Sequence, residues 1–211
     1  MLPQPPILLI TDRLQARAPL PEVVAAALEG GCRWISVREK DLPQAEQIAL
    51  ARTLLTLAFP FGGRVTLHGA FDLAVEAGVD GVHLPAGSDV GQARSRLGPG
   101  ALIGLSTHTL AEVAAADARR LDYLIASPAF ETRSKPGYGP ALGEAGLRER
   151  VAATSVPVLA LGGIAPETIA PCRAAGVAGI AVMGAVMRAA DPADEMRALC
   201  RAWALGEAES R

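Results

Sequence analysis

Short apolar runs punctuate this chain at regular intervals, and between them apolar residues recur with helical spacing. The runs predict strands over 7–12, 34–40, 64–69, 81–85, 102–107, 123–128, 157–163 and 179–184. Most are rich in Val, Ile and Leu, as parallel strands buried on both faces are. Helical patterns fill the gaps over 21–29, 44–57, 70–77, 90–97, 110–120, 144–152, 167–175 and 194–205. Strict alternation of strand and helix indicates a parallel sheet with right-handed crossovers, and eight units closing on themselves give an α/β fold of the (β/α)8 TIM-barrel class. A doubly wound open sheet would place a glycine-rich loop after the first strand, where this chain has Thr11-Asp12-Arg13-Leu14.

Composition narrows the function classes. The chain has 211 residues, 50% hydrophobic and 20% charged, which is enough apolar material for one large core. Residues 1–211 are therefore read as a single domain, with a polar, frayed tail over 206–211. A net charge of -2 with no Lys/Arg run offers no electrostatic footprint for nucleic acid. Cys32, Cys172 and Cys200 show no metal-ligand spacing, and their odd number points to a reducing cytoplasm. The opening Met-Leu-Pro-Gln-Pro-Pro lacks the basic flank and apolar length of an export signal, and no apolar run nears the roughly 20 residues of a membrane span. Oligomeric state is open, a homo-oligomer included.

In a barrel of this class the chemistry lies at the C-terminal strand ends, where alternate residues point inward. On the second strand Ser36, Arg38 and Lys40 share one phase and Ile35, Val37 and Glu39 the other. The polar phase facing inward brings two cations to the mouth; the reverse phase buries Glu39 and turns the cations to solvent. Thr66, His68, His83, Ser106 and His108 extend the polar series. His83 reads best as a core or rim histidine, and His108 as part of the entry to a helix capped by Thr109 and Glu112. A metal site built from the three histidines has no Cys or carboxylate cluster to support it. Near the C-terminus, Ala160-Leu161-Gly162-Gly163-Ile164 and Val182-Met183-Gly184-Ala185 are strand-to-helix junctions whose backbone N–H groups suit a phosphate ester. The Gly- and Pro-rich segment 127–140 reads as a lid or binding loop, with Thr132, Ser134 and Lys135 as donors to an anion.

The runs Leu9-Ile10-Thr11-Asp12, Val37-Arg38-Glu39-Lys40, Asp80-Gly81-Val82-His83-Leu84, Ile103-Gly104-Leu105-Ser106-Thr107-His108, Phe130-Glu131-Thr132 with Lys135, and Leu161-Gly162-Gly163-Ile164 resemble, in order and spacing, the thiamine-phosphate synthase superfamily. The resemblance spans nearly the whole chain and implies a (β/α)8 barrel with one of two chemistries. The synthase joins a pyrimidine diphosphate to a thiazole phosphate with magnesium; the TenI-like thiazole tautomerase moves a proton on a thiazole carboxylate phosphate without metal.

Departures from the synthase pattern favour the tautomerase as the expectation. His68-Gly69 stands where the synthase has an Asn-Asp pair, Pro85-Ala86-Gly87-Ser88-Asp89 where it has Gly-Gln-Glu-Asp, and Ser36 where it has a glutamine. Only Asp89 and the distant Asp12 are left as magnesium carboxylates, so the expected cofactor is none, with Mg2+ needed only if the synthase alternative holds. The tautomerase branch carries its catalytic histidine where Pro128 stands, so proton transfer falls to His68, with Glu131 and Lys40 as alternatives. Arg38, Lys40, Ser106, Thr132, Ser134 and Lys135 are the expected substrate-binding residues, and Gly162, Gly163, Met183 and Gly184 the phosphate-binding ones. Beside the synthase, a non-catalytic binder of thiazole or thiamine phosphate is the other alternative.

Overall fold

The structure, a computed structural model, describes residues 1–132 and 140–208. Eight parallel strands form a closed barrel in sequence order. They are β1 Ile7–Ile10, β2 Trp34–Val37, β3 Arg64–His68, β4 Gly81–Leu84, β5 Leu102–Thr107, β6 Tyr123–Ala126, β7 Val158–Leu161 and β8 Gly179–Val182. Pairing of Ile7 with Ile180 shuts the ring between β1 and β8. All but β5 stop short of the sequence-derived boundary, because the chain leaves the ladder to turn toward the mouth while its backbone still bonds across. Thr11 N–H, just past β1, donates to Ser36 C=O at 3.0 Å, and Gly69 N–H, just past β3, donates to His83 C=O at 2.9 Å.

Around the barrel lie α1 Leu20–Glu29, α2 Gln44–Ala58, α3 Phe71–Ala77, α4 Val90–Leu97, α5 Leu110–Ala114, α6 Gly143–Ala152, α7 Ile169–Ala174, the short α8 Gly184–Met187 and α9 Pro192–Ala208. The helix expected over 110–120 ends at Ala114. Beyond it Asp117 captures the chain: its carboxylate accepts from Arg119 N–H at 3.0 Å and pairs with Arg119 and Arg120, closing a turn instead of another helical turn. At its other end α5 has the expected capping box, in which Thr109 and Glu112 satisfy each other's backbone N–H groups.

Strand parity divides the apolar residues into two cores. Ile7, Leu9, Ile35, Val37, Val65 and Leu67 face the helices in the larger one, while Leu8, Ile10, Trp34, Leu102, Tyr123, Ile125, Leu159 and Ala181 fill the barrel. Trp34 and Tyr123 meet edge to face at 4.7 Å between ring centroids inside it. This apolar plug closes the lower barrel, so the polar residues of the same inward phase are stacked above it at the mouth.

Candidate functional site

On the plug rests a layer of buried polar residues set by register. Ser36 lies beside Thr66, Thr66 beside Gly81, His68 beside His83, and His83 beside Gly104. The polar phase of β2 and β3 thus faces inward, one of the two phases the sequence allows. His83 is 1% exposed. Its Nδ1 is 3.2 Å from the Tyr123 hydroxyl and its Nε2 is 2.9 Å from Ser106 Oγ. Burial, and then the charges of Lys40 and Arg38, push its pKa down to about 3, so the ring is neutral at pH 7.

Thr66 Oγ1 donates to Ile35 C=O at 3.2 Å in the same buried layer. Tyr123 and Ser106 occupy the two ring nitrogens of His83 and fix the plane of the imidazole. Ser106 borders the space above.

That space is a cavity of about 590 Å³. Arg38, Lys40, His68, His83, Ser106, His108, Glu131, Thr132, Gly162, Gly163, Met183 and Gly184 all line it, so the structure brings nearly the whole sequence-derived site together. Ser134 and Lys135 lie outside the described residues. His83 is buried with both ring nitrogens bonded, as its reading as a core or rim histidine expects, and it also lines the cavity and holds Ser106. The rings of His68 and His83 are 4.8 Å apart. Ser36 sits below the cavity floor, fully buried.

Two devices fix the mouth. Backbone N–H of Arg38 donates to Thr11 Oγ1 at 2.9 Å. Glu39, one residue on and 3% exposed, accepts from the Arg13 N–H at 3.1 Å with each carboxylate oxygen and from Arg13 Nη1 at 3.3 Å. Sequence phase alone sets burial of Glu39 against an inward Arg38 and Lys40, yet here they coexist, because the segment after β1 folds over the outer side of the β2 end. Arg13 also binds Asp41 bidentately, which holds the Asp41 carboxyl below its usual range. At the opposite side, Gly163 has φ +64°, and a Cβ there would lie 2.7 Å from Phe130 Cβ. Only glycine fits that turn without strain.

Sequence reasoning missed two residues of the mouth. Gln15, after β1, and Arg188, after α8, both line the cavity, and Arg188 Nη1 donates to Gln15 Oε1. One signal was available: Arg188 is four residues beyond Gly184, and helical side chains lean back toward the preceding turn.

The described residues contain no group of three or more His, Cys, Asp or Glu able to hold a metal ion. Asp89 is the exposed N-cap of α4, accepting from Gln92 N–H at 2.9 Å, and it is not among the cavity residues. Asp12 lines the cavity, but its oxygens accept from Leu14 N–H and the Gln15 amide. This donor set does not fit Mg2+, which takes free carboxylate oxygens or substrate phosphates in octahedral array.

The family profile described as Thiamine monophosphate synthase matches residues 7–186. A thiamine-phosphate synthase of Anaeromyxobacter dehalogenans is 44% identical over 172 residues, covering 79% of this chain and 75% of that protein. A thiamine-phosphate synthase of Methanoculleus marisnigri is 37% identical over 191 residues, covering 90% of each. Among solved structures, thiamine phosphate pyrophosphorylase from Pyrococcus furiosus superposes with a TM-score of 0.83 at 32% identity, covering 94% of this chain and 95% of that one. These relatives overturn the expectation of an isomerase: the similar proteins bear the name of the transferase, not the tautomerase. The departures at 68–69 and 85–89 are local, at the end of β3 and just after β4, and they do not outweigh a match along the whole barrel.

Proposed function

Because this chain belongs to the thiamine monophosphate synthase family, we propose that it is a transferase that joins a pyrimidine diphosphate to a thiazole phosphate. The observation that carries this reading is one cavity lined by cationic side chains at one end and by glycine junctions at the other, each suited to an anion. Arg38 and Lys40 form one, at the end of β2; the Gly163 and Met183-Gly184 junctions form the other, across the mouth. Two phosphate-bearing substrates need two such ends, and their reacting atoms then meet over Ser106.

In the reaction the thiazole nitrogen attacks the carbon that carries the diphosphate. A carbon–nitrogen bond forms, the carbon–oxygen bond breaks, and its electron pair leaves with the diphosphate. Arg38 and Lys40 would neutralise the charge that grows on that leaving group. Backbone N–H groups of Gly163, Met183 and Gly184 would hold the thiazole phosphate, and Gly162 shapes that turn. Ser106, fixed by neutral His83, would offer its hydroxyl to a polar group of the pyrimidine and so set its orientation. Thr132 and Glu131 stand at the rim. His68, its ring tilted against that of His83, would wall the pyrimidine side, and the reaction asks no proton transfer of it. The described residues do not fit a resident magnesium ion.

Three cysteines without a disulfide suit a reducing cytoplasm, and no described helix is long and apolar enough to cross a membrane. The test is direct: purified protein, pyrimidine diphosphate and thiazole phosphate, with and without Mg2+, followed by chromatography for thiamine phosphate. Product formed in step with released diphosphate is the expected result. Its absence in both conditions, from a folded protein that binds neither substrate, would sink the proposal.

A further inference from the structure

The guanidinium of Arg188 lies back over Gly184 at the edge of the cavity. A Cβ built on Gly184 would fall 2.7 Å from Arg188 Cζ, so the absence of a side chain there is what lets the arginine approach the junction. The arginine is steered there from another part of the chain. Gln15 Oε1 accepts from Arg188 Nη1, and the Gln15 amide donates to Asp12 Oδ2. Asp12 is in turn set by Leu14 N–H at 3.2 Å. Asp12, Gln15, Gly184 and Arg188 all line the cavity, so this relay is part of the mouth rather than of the outer surface. Arg188 also lies just beyond the family match, which ends at residue 186.

We infer that Arg188 is a side-chain clasp for the phosphate of the thiazole substrate, closing from above on the anion that the Gly163 and Met183-Gly184 backbone holds from below. The inference rests on the transferase reading for the identity of the substrate, but the chemistry it claims is wider: a phosphate monoester at this side of the cavity. Guanidinium is suited to the task because its planar fork offers two parallel N–H groups to phosphate oxygens. Gln15 holds the side chain through a neutral acceptor. Asp12 fixes the amide so that Oε1, rather than the amide nitrogen, faces the arginine. Specificity follows: the clasp favours the phosphate ester over the corresponding alcohol.

Calorimetric titration of wild-type protein and Arg188→Gln with thiazole phosphate, the thiazole alcohol and inorganic phosphate tests it. Glutamine keeps a polar side chain of useful length and removes the charge. Arg188→Gln should bind thiazole phosphate about tenfold or more weakly, lose inorganic phosphate in parallel, and bind the alcohol as wild type does. Arg188→Lys should recover part of the loss, since it restores charge without the fork. Wild-type affinity for thiazole phosphate in a folded Arg188→Gln, or no binding of inorganic phosphate and thiazole phosphate by wild type, overturns the clasp. A wild type that binds phosphate through Arg188 yet makes no thiamine phosphate keeps the clasp and sinks the transferase reading. Turnover with a KM for thiazole phosphate unchanged in Arg188→Gln does the reverse.

Discussion

The ring of Tyr123 on β6 occupies the space that a side chain on Gly104 of β5 would fill. The two residues are register partners, and a Cβ on Gly104 would overlap the phenol carbons of Tyr123. The consequence reaches the site, because the Tyr123 hydroxyl carries His83, and His83 carries Ser106.

Gly104→Ala should therefore displace the ring and destabilise the protein by about 1–3 kcal/mol, the usual range for overpacking a core. Denaturant unfolding measures it. Removing the ring by Tyr123→Ala is destabilising by itself, but the double variant should lose less than the two single losses combined, since the clash is gone. Strict additivity would show that Gly104 is not there to admit Tyr123.

Stability should fall in mild acid partly through His83. Its folded pKa of about 3 lies below its ordinary value of 6.5, so the unfolded chain binds the extra proton between those values. The contribution is fully present above about pH 6.5 and is lost as pH falls through that window, at up to roughly 1.4 kcal/mol per pH unit. His83→Gln should be less stable than wild type at pH 7 but show a shallower decline between pH 6.5 and 5. Parallel declines in urea midpoints would refute this role.

Two glycines at the phosphate end should respond differently. Gly163→Ala places a Cβ against Phe130 at a positive φ, and a loss of roughly 1–3 kcal/mol is expected from strain and clash together. Gly184→Val meets the guanidinium of Arg188 first, a side-chain end rather than backbone. It should fold, as circular dichroism can verify, and bind thiazole phosphate about tenfold more weakly, a difference of about 1.4 kcal/mol. Full affinity in the folded Gly184→Val variant would remove this junction from the phosphate site.

The absence of a suitable carboxylate set among the described residues makes a statement about magnesium that can be measured without turnover. Inorganic pyrophosphate should bind with an affinity that changes less than about threefold between buffers containing Mg2+ and EDTA. Arg38→Met should weaken it about tenfold or more in both. Binding seen only with Mg2+ would mean that phosphate oxygens and Asp12 or Asp89 complete a metal site after all.

Sequence by itself determined the barrel, because the spacing of apolar runs reports which backbone segments must be buried on both faces, and that is a local property. Strand period two also puts Ser36, Arg38 and Lys40 in one phase and Glu39 in the other, but it does not say which phase points inward, and that was decided by the register of the closed barrel. What it could not determine was the partner of each polar group across the barrel. The bond from His83 to Tyr123 joins residues 40 apart in the chain, and Arg188 reaches Gln15 across a separation of 173. Only closure of β8 against β1 brings that last pair together. The burial of Glu39 was decided the same way, by a segment after β1 folding over the end of β2, since burial of a charge depends on which distant donor arrives to meet it.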